Sequence, residues 1–216
     1  MTSSDRITPA AALFLVPPPL PLSAAEGALL IRLAFSALRE HFGLADREDS
    51  PPPEGLLSRP AGAFVSIYHD GSLRGCLGAL RPREPLWQSV REITQKAATS
   101  DPRFEPLREG ELSSLSVEIS VLGPLEKLIE RSPAFIVTAI RVGQHGLSVR
   151  HRGQSGLLLP QVAEKQGWDA IRFLEETCRK AGLPPGAWSE DGAEISAFRC
   201  VCFHGDGAPS RGPESR

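Results

Sequence analysis

The spacing of apolar positions changes along this chain, and each change predicts an element. Leu29, Leu30, Leu33, Ala34, Ala37 and Leu38 fall on one face at helical spacing. Ser23 and Glu26 precede them with capping-box spacing, so each can satisfy a free amide at the helix start, and Gly43 offers a C-terminal stop. Ser50-Pro51-Pro52-Pro53-Glu54-Gly55 predicts a loop. Residues 63–68 and 73–80 read as strands around Asp70-Gly71, a hairpin signal because glycine accepts positive φ without steric cost. A second helix has Leu86, Val90, Ile93 and Ala97 on its inner face. It ends at Asp101, because Pro102 disfavours helix in the residue before it. Leu115, Val117, Ile119 and Val121 alternate with Ser116, Glu118 and Ser120, which predicts a half-buried strand.

Residues 134–142 and 147–150 predict two strands separated by Gly143-Gln144-His145-Gly146, and residues 156–159 a short buried strand ended by Pro160. Residues 161–166 predict a turn of helix stopped by Gly167. Asp169 caps a last helix, which runs to about Ala181 and is closed by Gly182, with Ile171, Leu174 and Cys178 on its inner face. Leu183-Pro184-Pro185-Gly186-Ala187-Trp188 forms a stiff connector, and residues 194–204 predict one final strand. Hairpins with interspersed helices, rather than strict strand–helix alternation, predict an α+β fold with a largely antiparallel sheet.

The hairpin carries the first candidate chemistry. On its return strand, unbroken alternation puts Leu73, Leu77 and Ala79 on one face and Arg74 and Cys76 on the other. A cation beside a thiol favours the thiolate, which is the nucleophilic form. Gly75 and Gly78 strip the backbone on either side of Cys76 and allow close approach of a substrate or of another segment.

Composition narrows the class. The chain has 216 residues, 41% hydrophobic and 23% charged, with a formal net charge of −2. That suits a globular domain with a real core. No basic block stands out, so nucleic acid is not an expected partner. No apolar run of roughly 18 residues or more occurs, so no membrane span is expected. The four cysteines, Cys76, Cys178, Cys200 and Cys202, form no CxxC pair and predict a reduced, cytoplasmic setting. Residues 10–16 resemble a short signal-peptide core, but only Arg6 precedes them, offset by Asp5, and the run stops at Pro17-Pro18-Pro19. A flexible proline-rich leader over residues 1–22 and a disordered tail over 206–216 are expected instead. Neither phosphate-binding glycine signature is present, and no cofactor is expected.

The order and spacing of several short segments resemble the AMMECR1-domain family, in particular the prokaryotic members called AmmeMemoRadiSam system protein A. These segments are Leu73-Arg74-Gly75-Cys76-Leu77-Gly78, where the family usually has Ile at Leu77, Asp101-Pro102-Arg103-Phe104, and Val117-Glu118-Ile119-Ser120-Val121-Leu122. They continue with Gly143 through Leu147, Leu158-Leu159-Pro160-Gln161-Val162, Gly167-Trp168-Asp169 and the run from Lys180 to Trp188. The resemblance implies one domain over residues 23–205, with a larger lobe holding an antiparallel sheet flanked by helices and a smaller second lobe. It implies a Memo-like protein and a radical-SAM enzyme as possible partners, and it assigns no reaction.

The candidate catalytic set is Cys76 as nucleophile, Arg74 as its activating cation and His145, in a glycine-flanked turn, as a base. The candidate substrate-binding set is Gly75, Gly78, Asp101, Arg103 and Gln161. Each has a structural reading too. Cys76 is a small residue suited to a tight hairpin, and Asp101-Pro102-Arg103-Phe104 suits a helix-ending turn with Asp101 paired locally and Phe104 anchored in the core. Glu118 is a general base or an ion-pair partner. Cys200, Cys202 and His204 share one strand face, which suits a buried face better than a metal site, because three ligands in a row on a strand fit tetrahedral zinc poorly. No metal site is expected. Two functions follow: a thiol-dependent enzyme or enzyme subunit, or a non-catalytic adaptor that docks a partner in a groove.

Overall fold

A computed structural model of the chain describes residues 16–44, 54–130 and 132–207. The elements run α1 (Ala24–His41), β1 (Ala63–His69), β2 (Ser72–Ala79), α2 (Leu86–Thr99), β3 (Leu115–Leu122), β4 (Glu126–Lys127) and α3 (Pro133–Ala139). They continue with β5 (Gly146–His151), β6 (Gln154–Leu158), α4 (Pro160–Gln166), α5 (Ala170–Lys180), β7 (Glu194–Phe198) and β8 (Cys200–Asp206). Short 3-10 turns lie at Gly55–Ser58, Glu109–Ser114 and Pro185–Ser189. The described residues fall into two units, one of Leu20–Leu122 with residues 201–207, the other of Gly123–Cys200 with residues 16–19.

The first unit holds a sheet of order β2-β1-β3-β8. β1 pairs antiparallel with both β2 and β3. Gly123 donates to the Arg199 carbonyl and Gly207 to that of Leu115, so β8 also runs antiparallel to β3. Ala63, Val65, Ile67, Val117, Ile119 and Val121 are fully buried and pack with α1 and α2 residues such as Leu30, Leu38 and Val90. Each Val, Leu or Ile among them contributes about 1.5–3 kcal/mol on burial. Ser23 caps α1 with the predicted reciprocal box, and Gly43 follows it at φ +70°. The hairpin turns on Asp70 and Gly71, at φ 48° and 77°.

The second unit holds a sheet of order β4-β7-β5-β6, antiparallel throughout. α5 packs on β5 and β6 through Phe173, Leu174, Thr177 and Cys178, all fully buried. Asp169 accepts the Arg172 amide at 2.7 Å to cap α5, and Gly167 ends α4 at φ 64°.

Four expectations change. Within residues 134–142, where a strand is expected, the chain forms the short helix α3 up to Ala139 and then a turn, because Ser132 caps the helix and Pro133 occupies its first turn. The single final strand is two strands in different sheets, separated at Arg199. Ile171 is 46% exposed; the buried stripe of α5 centres between Phe173 and Leu174, a quarter turn away. Val16 is buried with Leu128 and Ile136, and Pro18 lies against Gly123, so the chain from residue 16 belongs to the fold. The signal-like residues 10–15, the loop residues 50–53 and the tail from residue 208 lie outside the described residues.

Candidate functional site

β2 is an edge strand, and its free edge decides what surrounds Cys76. The register of β1 and β2 shifts between Ile67 and Tyr68: Ile67 opposes Gly75, whereas Tyr68 opposes Leu73. Arg74 is the extra residue of a β-bulge, and a bulge re-aims its side chain. Its guanidinium meets Glu111 Oε1 at 2.8 Å and Oε2 at 3.2 Å, with the carbonyls of Glu105 at 2.5 Å and Pro106 at 3.1 Å. The Arg74 guanidinium in turn holds the Glu111 carboxyl below its ordinary value. Arg74 therefore clamps the segment after α2. The expectation that it stands beside the Cys76 thiol is corrected, because alternation along β2 breaks at this residue.

Arg103 takes that place. Asp101, 4% exposed, accepts the Cys76 amide on Oδ2 at 2.8 Å. The same carboxylate accepts Arg103 Nε at 2.9 Å, Nη2 at 2.7 Å and the Arg103 amide at 3.1 Å. Arg103 Nη2 also donates to the Cys76 carbonyl at 2.9 Å. The pair thus offers one acceptor and one donor to a single edge residue, as a neighbouring strand would, and blunts an edge that is otherwise open to pairing. Hydrogen bonds from Arg103 hold the Asp101 carboxyl far below the carboxylate range, against the opposing effect of burial. Asp101 in turn holds Arg103 more firmly protonated, with the Cys76 side chain adding to the effect. Arg103 also lies 5.3 Å from the centre of the Phe104 ring, which is half-buried.

The glycines are structural. A Cβ on Gly75 would stand 2.2 Å from the Ala97 carbonyl oxygen of α2, so Gly75 permits close strand–helix contact. The Phe64 ring covers Gly78, 2.3 Å from where a Cβ would be.

The outward face of β1, β2 and β3 mixes polar Ser66, Tyr68, Cys76, Ser116, Glu118 and Ser120 with apolar Phe64 and Leu73, in contrast to the apolar inward positions. The bulge sets Ser66 opposite Cys76, and the unbroken β1–β3 register sets Glu118 on its other side. Ser66 Oγ donates to Cys76 Sγ at 3.2 Å. Tyr68 is hydrogen-bonded to Ser66, and its phenol is held above its ordinary value by burial, then by the charges of Glu118 and Cys76. Tyr68, Ser66 and Cys76 form one hydrogen-bonded line across the sheet face. Motif reading misses Ser66 and Tyr68, because an unbroken hairpin from Asp70-Gly71 pairs Ser66 with Gly75.

His145 belongs to the Gly123–Cys200 unit. It is 3% exposed, and its Nδ1 accepts the Arg141 amide at 3.2 Å. Burial, then the charges of Arg199 and Arg141, push it down to about 4. It is a neutral, buried ring near neutral pH, not an exposed loop side chain. Gln161 lies on α4 of the same unit, 3.9 Å from Cys200 Sγ.

Cys178 is fully buried, as expected, and burial raises its thiol. On β8 the expectation of a buried cysteine face is corrected. Val201 and Phe203 pack inward, whereas Cys202 and His204 are exposed. Cys202 Sγ lies 3.4 Å from Ser120 Oγ. Among the described residues no group of three or more His, Cys, Asp or Glu is placed to hold a metal ion. None of the described helices is long and apolar enough to cross a membrane.

Two antiparallel sheets with flanking helices, and a capped edge strand carrying Leu73-Arg74-Gly75-Cys76, define the class. The chain belongs to the AMMECR1 family, whose model matches residues 31–203. It is 41% identical over 185 residues to Protein MK0488 of Methanopyrus kandleri, covering 84% of this chain and 89% of that protein. It is 43% identical over 190 residues to a protein of Methanothermobacter thermautotrophicus, covering 87% and 98%. The crystal structure of uncharacterized protein PH0010 from Pyrococcus horikoshii superposes with a TM-score of 0.74 at 37% identity, covering 82% of this chain and 90% of that one.

Proposed function

We propose that this AMMECR1-family protein is an enzyme or enzyme subunit that uses the Cys76 thiolate on a small molecule or a protein-borne group. The observation that carries this reading is the setting of the sulfur. Ser66 Oγ donates to it at 3.2 Å, and the Arg103 guanidinium, pinned by Asp101, stands at the same residue. A hydroxyl donor and a fixed guanidinium are the groups that steady charge on a reacting sulfur. The reaction class is group transfer: the sulfur pair forms an S–C bond to an electrophilic carbon of the donor, the bond to the leaving atom breaks with its pair, and the thiol proton goes to that atom. Water or an amine then releases the group from sulfur.

The test is a set of aryl thioesters and esters offered to the full chain, with intact-mass detection of a covalent adduct. The expected result is one adduct, on Cys76, absent from Cys76→Ser while that variant keeps its circular dichroism spectrum. No adduct with any donor, or an adduct that persists in Cys76→Ser, overturns the reading.

A second reading is that of a non-catalytic adaptor for a Memo-like and a radical-SAM partner. One observation favours it: Arg74, Asp101 and Arg103 are occupied in holding the edge of β2. It expects a stable complex that survives alkylation of Cys76, measured by analytical ultracentrifugation.

A further inference from the structure

The Gly123–Cys200 unit gathers basic groups at one end of its sheet. β5 and β7 pair Gly146 with Phe198, so the next residues along the two chains are His145 and Arg199. The Phe198 ring fills the space that a Cβ on Gly146 would need, which seats the start of β5 tightly against β7. His145 is buried there, with Nδ1 occupied by the Arg141 amide; its remaining ring donor is Nε2. Arg199 Nε is buried and makes no hydrogen bond among the described residues. Buried N–H groups are almost always bonded, and a charged one without an acceptor is the costlier case. Arg141 adds a third basic side chain, and its charge and that of Arg199 both act on His145. Glu164 of α4 stands by Gly143 in the same loop, its carboxylate 3.5 Å from where a Cβ would lie.

We propose that the His145–Arg199 end of this sheet binds an oxyanion, the phosphate or carboxylate group of a small ligand, with Arg199 Nε–H as its buried donor. The anion supplies the acceptor that Nε lacks and offsets the charge of the two guanidiniums. A guanidinium offers two parallel donors, which match two oxygens of one such group. The site uses none of the residues around Cys76 and stands whether or not that thiol is catalytic.

The test titrates the full chain with inorganic phosphate and, separately, with acetate, following the His145 imidazole resonances by NMR. Sodium chloride at matched ionic strength is the control. The expected result is a saturable shift with at least one oxyanion, together with an upward move of the His145 titration as the bound negative charge favours the imidazolium. The stronger of the two anions identifies the ligand group. Arg199→Gln weakens binding by roughly tenfold or more, the scale of a charge-assisted hydrogen bond, whereas Cys76→Ser binds as the parent does. Arg199→Lys keeps the charge and loses the fork; it also weakens binding, and it carries the test if the glutamine variant does not fold. A response equalled by chloride, no saturable shift with either oxyanion, or an Arg199 variant that folds and binds as the parent does overturns the proposal.

Discussion

Asp101→Asn isolates the element that caps β2. The carboxylate accepts four hydrogen bonds, two on each oxygen, from Cys76 N and from Arg103 N, Nε and Nη2. An amide of the same size keeps one oxygen and turns the other into a donor that faces a guanidinium or an amide. Two bonds are lost and two donors are left opposed. A hydrogen bond to a charged group contributes about 1.5–3 kcal/mol. The Asp101 side chain is 1% exposed but that of Arg103 is 48% exposed, and water screens its half of the pair. The expected loss is therefore about 2–4 kcal/mol, read from urea unfolding by circular dichroism. The pH dependence has a definite sign. Asp101 titrates below its ordinary value of 3.8 in the folded chain, so its contribution is complete above that value and fades as pH falls below it. The parent should lose stability through that acid range, and Asp101→Asn should lose less. A variant within about 0.5 kcal/mol of the parent, the range of ordinary surface substitutions, with the same acid limb, refutes the reasoning.

Gly75→Ala should destabilise by at least about 1–3 kcal/mol, because the added carbon meets a helix carbonyl at 2.2 Å; a neutral result in the same unfolding assay contradicts the close β2–α2 contact. Gly167→Ala has open space around it and pays only for φ 64°, so its cost should be about 1 kcal/mol in thermal unfolding. Tyr68 is the chain's single tyrosine, so near-ultraviolet absorbance reports its phenolate alone. The titration should lie above the ordinary 10.0 and move down in Glu118→Gln, since Glu118 is one cause of the rise; an unchanged curve removes Glu118 from this site.

Sequence patterns show local structure where one residue type answers one backbone need. The Ser23–Glu26 box, Asp70-Gly71, Gly167 and the Asp169 cap all stand where they are expected. They are less informative where two signals compete. The apolar run from Ala134 favours a strand, but Ser132-Pro133 starts a helix that tertiary packing completes. At Arg199 a continuous apolar pattern hides a change of sheet, which only long-range pairing decides. The site shows the same division. Cys76 and the Asp101–Arg103 pair are legible as motifs, whereas their meeting at the β2 edge, about 25 residues apart in the chain, is not. One bulged residue sends Arg74 to Glu111 and brings Ser66 to the sulfur.

The most direct test of a working Cys76 thiolate is its rate of alkylation by iodoacetamide in the folded chain near neutral pH, located by peptide mass spectrometry. Buried Cys178 is the internal control. The account predicts that Cys76 reacts faster than Cys178 and slows in Ser66→Ala and in Arg103→Gln, the two changes that remove its donor and its cation. A Cys76 that reacts no faster than Cys178, or that keeps its rate in both variants, would make this residue a packed part of the β2 edge and contradict the proposed chemistry.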